Sequence, residues 1–134
     1  MPVEACETWD CVSYLTQLMV CSPNTSDEAL LDDLSFELTG DRFVQVDERS
    51  ERVGTLRPLQ HEFGGWKAAS GCVWAGVLDH ANEDAILVHL AEQSWAEPDT
   101  IQILIKTEDE REFRLYMIRN DRLVLCSPEP LPDE

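Results

Sequence analysis

The apolar residues of this chain change their period near Gly40. Before it they recur at helical spacing: residues 8–20 read as a first helix, with Trp9, Val12, Leu15, Leu18 and Met19 on one stripe and Asp10, Ser13 and Gln17 off it, closed by Pro23. A second helix is signalled by the capping box Thr25-Ser-Asp-Glu28, whose Asp27 and Glu28 also suit the positive end of a helix dipole. Leu30, Leu31, Leu34 and Leu38 supply its buried stripe, and Gly40 is the expected stop. Asp32, Asp33 and Glu37 lie on the opposite face, which makes this an acidic amphipathic helix.

Beyond Gly40 the period moves toward two. Residues 42–46 and 52–57 flank a five-residue segment, 47–51, and predict a hairpin whose second strand is weakened by Pro58. Residues 61–71 hold three glycines and read as a loop, and residues 72–78 follow as an apolar strand. Residues 82–95 fit two descriptions. Asn82 can cap a helix that places Ile86, Leu87, Leu90, Ala91 and Trp95 on one face, whereas residues 85–90 taken alone could form a strand; the pattern leans slightly to helix. Residues 100–106, 111–118 and 122–126 predict an antiparallel meander with turns at 107–110 and 119–121.

These elements predict an α+β fold: a single domain over residues 1–126, with two or three helices packed on a mainly antiparallel five- or six-stranded sheet. The three prolines of residues 127–134 predict an extended acidic tail. A length of 134 residues with 43% hydrophobic content suits one core. There is no secretory leader pattern and no apolar run of membrane-spanning length, so a soluble, cytoplasmic protein without membrane contact is expected. Five cysteines, an odd number with no Cys-x-x-Cys, argue against a disulfide framework and a zinc ribbon.

Charge changes the picture most. The chain carries a formal −17, and residues 1–41 hold nine acidic residues and no Lys or Arg. Residues 68–105 are again purely acidic, with six carboxylates, while residues 42–67 and 106–122 are mixed and the tail from 123 is acidic. Such a surface attracts cationic partners and repels nucleic acid, which discounts direct nucleic-acid binding.

No pattern nominates a reaction. His89 and Glu92 are one helical turn apart, but the sequence names no further metal ligand to join them. Cys72 with His61 or His80 would need a third, orienting residue, and no local signature surrounds it. Phosphate-binding and dinucleotide-binding glycine motifs and a nucleophile elbow are all missing. The expectation is a protein that is not an enzyme and needs no cofactor or metal.

The function these features predict is inhibition by occlusion. An acidic, cytoplasmic, protein-binding inhibitor would neutralise a basic partner, such as a toxin or a nucleic-acid-processing enzyme, in the manner of an immunity protein, an antitoxin or a phage anti-defence DNA mimic. The face expected to bind is Asp27, Glu28, Asp32, Asp33 and Glu37 of the second helix, supported by the loop tryptophans Trp66 and Trp95. A secretion-effector chaperone and a small enzyme with an unrecognised site are the alternatives. A chaperone of this kind calls for a dimer and an exposed apolar groove.

Overall fold

A computed structural model of the chain describes residues 15–44, 53–59 and 70–126. Among the described residues six antiparallel strands form one sheet: β1 (Leu15–Ser22), β2 (Arg57–Pro58), β3 (Cys72–Asp79), β4 (Gln102–Thr107), β5 (Arg114–Arg119) and β6 (Arg122–Cys126), in the order β2-β3-β1-β4-β5-β6. Two helices, α1 (Glu28–Glu37) and α2 (Glu83–Ala91), pack against one face. The chain is an α+β single-domain arrangement. No helix among the described residues is long and apolar enough to cross a membrane.

The predicted first helix is overturned where it can be followed, because residues 15–22 form β1 and pair with β3 on one side and β4 on the other. Thr16, Leu18, Val20 and Ser22 alternate inward and are buried. A short apolar run such as Leu18-Met-Val-Cys21 satisfies a helical stripe and a two-sided strand equally well, and the two open strand partners decide it. Residues 8–14 lie outside the described region.

Around β1 the inner face of the sheet is assembled by register. Leu18 lies opposite Gly76 and Ile105, and Val20 opposite Trp74 and Ile103. Leu31 and Leu34 of α1, Leu38 just after it, and Ile86, Leu87 and Leu90 of α2 close this core from above. Gly76 is needed where it stands, since a side chain there would be driven into the Thr55 carbonyl oxygen, which crosses over β3 at that point.

The second helix holds, with a different start. Residues Thr25–Asp27 wind as a 3-10 turn capped by Asn24, whose side chain accepts from the Ser26 amide at 3.0 Å. Asp27 is the N-cap of α1 but its carboxylate turns elsewhere, so the expected capping box is replaced by this two-step entry. The helix expected over 82–95 is α2, with the Asn82 side chain accepting from the Ala85 amide at 3.2 Å.

The hairpin predicted over residues 42–57 is not formed as expected. Asp41–Phe43 make a 3-10 turn, Val44 makes an isolated bridge to Ala81, and among the described residues of this stretch only Arg57 and Pro58 pair as a strand, on β3. Pro58 is tolerated because β2 is the edge strand among the described residues, where a missing N–H breaks no ladder. Residues 45–52, the loop at 60–69 and the proline-rich tail at 127–134 lie outside the described region. The meander stands as predicted; between β5 and β6, Asn120 and Asp121 both take positive φ (53° and 63°), the backbone of a two-residue hairpin turn.

Candidate functional site

The residues expected to bind a partner separate into two groups. Asp32, Asp33 and Glu37 line the outward side of α1 and are exposed, and Glu28 is half-buried at the helix start. Asp27, in contrast, is only 2% exposed and accepts from the Ser22 hydroxyl at 2.6 Å and from the Ala96 amide at 3.0 Å. It fastens the end of β1, the start of α1 and the segment after α2, and is corrected from a contact residue to an internal staple.

Trp95 is corrected in the same way. Its ring is 5% exposed in the core, and its Nε1–H donates to the Leu90 carbonyl at 2.8 Å. Its sequence neighbours Ser94, Glu97 and Pro98 fit a loop, but the ring folds back under the C-terminal end of α2. Trp66 lies outside the described residues.

The aromatic on the acidic face is instead Phe36, 75% exposed. On a helical wheel it falls between Asp32 and Asp33, in the last turn of α1. The signal was present in the sequence: Phe36 is the one large apolar residue of residues 28–38 that falls off the leucine stripe.

Beside Phe36 a groove of about 330 Å³ opens between α1, α2 and the turn that follows α1. Glu37, Arg42, Phe43 and His89 line it. The His89 Nε2 atom lies 2.7 Å from the Glu37 carboxylate and its ring packs on Phe43 at 5.2 Å between centroids, while the Arg42 guanidinium sits over the Phe43 ring at 4.8 Å. Gln93 Nε2 stands 3.4 Å from the remaining ring nitrogen of His89. Both nitrogens therefore meet neighbours within the fold, and the His–Glu contact clasps α1 to α2.

Other chemistry-bearing groups do not meet here. Cys72 and His80 bracket the eight residues of β3, so they stand roughly 25 Å apart at ~3.3 Å per strand residue. Burial pushes the Cys72 thiol up, and the Glu28 and Asp27 charges push it further, away from the thiolate a nucleophile needs. Burial likewise raises the Cys21 thiol. Among the described residues no three His, Cys, Asp or Glu side chains converge as metal ligands, and His89 faces Glu37.

A second charged cluster lies at the other end of α2. The Arg114 guanidinium on β5 contacts Glu83 at 2.9 Å and Glu110 at 2.7 and 2.9 Å, and donates to the Tyr116 hydroxyl at 3.1 Å. The Thr107 backbone N–H holds the Glu110 carboxyl below the usual carboxylate range, against the opposing effect of burial and with help from Arg114. This cluster ties the β4–β5 turn to the start of α2.

In comparison with known proteins the chain matches no family model, and neither a curated protein nor a solved structure matches it.

Proposed function

We propose that the protein is an acidic inhibitor that neutralises a basic protein partner by covering the partner's functional cleft with the outward face of α1. The observation that carries this reading is Phe36, an exposed aromatic set among Asp32, Asp33 and Glu37 on a helix that has no basic residue. Aromatic anchors inside a charged surround are the composition of interface hot spots, and complementary charge speeds encounter. The partner class that fits is a toxin or a nucleic-acid-processing enzyme, whose substrate site is cationic, with both proteins in the cytoplasm. No catalysis, cofactor or metal enters this reading.

The test is capture of partners from native lysate by the tagged chain at low and high salt, followed by association kinetics on the protein retained. Replacing Asp32 and Asp33 by Lys should slow association by about tenfold and flatten its salt dependence, with little change in dissociation. Phe36→Ala should instead speed dissociation by about tenfold. A partner that binds both variants as it binds the wild type would overturn the choice of face, and an acidic partner would overturn the function.

The effector-chaperone reading has one observation in its favour, the apolar outer face of the sheet. It requires a dimer, so a monomer by sedimentation would remove it.

A further inference from the structure

The face of the sheet turned away from the helices is apolar and basic in a chain that is otherwise strongly acidic. Register places Met19, Ala75, Val77, Leu104, Met117 and Val124 on it, with Val77 58% exposed. The charged residues the strands put there are Arg57, Lys106, Arg119 and Arg122, against Asp79 alone. Phe113, from the β4–β5 connection, overhangs Gln17, Met19, Ala75 and Val77 to frame an open slot of about 260 Å³. The slot is large enough to take one aromatic side chain.

We propose that this face is the docking surface of the chain's own N-terminal segment, residues 1–14, with the Trp9 indole filling the slot. Three observations select that occupant. Charge is the first: the segment has Glu4, Glu7 and Asp10 and no Lys or Arg, opposite in sign to the face. A second copy of the chain would bring basic residues against basic residues. Composition is the second, because the segment also carries the large apolar residues Trp9 and Val12, which suit an apolar face.

Reach is the third. The segment joins β1 at Leu15, whose side chain belongs to this same face, and β1 is a central strand. The slot begins at Gln17 and Met19, two to four residues into the strand, or about 7–13 Å from the junction. Six residues from Trp9 to Leu15 span at most about 20 Å. A short tether of this kind supplies an effective concentration on the order of millimolar, so even a modest contact is occupied.

Hydrogen exchange on the full chain, with sedimentation alongside, tests this independently of any partner. The expected result is a monomer in which amides of residues 5–14 exchange at least about tenfold more slowly than in an unstructured chain. Val77→Asp, at an exposed position that leaves the core intact, should return them to unstructured rates while α1 and β4 keep their protection. Trp9→Ser, which alters the segment rather than the sheet, should do the same. Unprotected residues 5–14 in the wild type would overturn the proposal, as would protection that survives both variants. So would a dimer that Val77→Asp dissociates, which would make a second copy the occupant.

Discussion

The helix-bearing side of the molecule presents Asp32, Asp33 and Glu37 around an exposed Phe36, whereas the open side of the sheet presents Lys106, Arg119 and Arg122 around Val77 and Val124. Each side couples exposed apolar surface to charge mainly of one sign, acidic on the helices and basic on the sheet, with Arg42 and Asp79 as the exceptions. The two faces lie on opposite sides of the core, and at physiological salt exposed charges are screened beyond about 8 Å. An approaching partner therefore meets the local field of one side and not the −17 of the whole chain. Net charge is a poor guide to binding where the fold sorts charge by layer.

The sharpest way to break this contrast is to move from exposed to buried carboxylates on the helical side. Asp27→Ala should cost about 3 kcal/mol in urea unfolding, because the Ser22 hydroxyl and the Ala96 amide lose a buried, charged acceptor together. The double Asp32, Asp33 to Lys variant used for binding should stay within about 0.5 kcal/mol of wild type. Equal costs would mean that Asp27 is not the staple described. Across the sheet, Gly76→Ala adds a methyl on the inner side against the Thr55 backbone and should cost about 2 kcal/mol, while Val124→Ile adds one on the open side and should cost almost nothing. Thermal unfolding of the two single variants checks that difference.

The smallest expected effect depends on pH. The Glu110 carboxyl is held low in the folded state, so its contribution is present above the ordinary carboxylate range and is lost as pH falls through the depressed value. Glu110→Gln should therefore be less stable than wild type at neutral pH, by about 0.5 kcal/mol for a partly exposed cluster, with the gap closing in acid. A gap that widens in acid would reverse the assigned direction.

Much of the fold was legible because local and tertiary preferences agree there. Asn82 announces α2, the leucine stripe announces α1, and Asn120-Asp121 marks the last turn. β1 was misread because Leu18-Met-Val-Cys21 carries no period of its own, and its strand partners lie far along the chain. The candidate site was half legible: carboxylates at Asp32, Asp33 and Glu37 follow from the wheel, but Asp27 and Trp95 owe their burial to contacts with Ser22, Ala96 and Leu90 that spacing does not reveal. Phe36 could have been found as the aromatic that breaks the polar face of α1.

The place of β1 in the middle of the sheet also sets an order of events during synthesis. Its nearest partner residues are Ser22 and Cys72, fifty positions apart, and its β4 partners come later still. At the usual ribosomal pace of about 5–20 residues per second, β1 waits roughly 3–10 s with both edges open. Until residues 72–79 follow, β1 has no strand to pair with among the described residues, and pairings of such long sequence separation are the kind that slow folding.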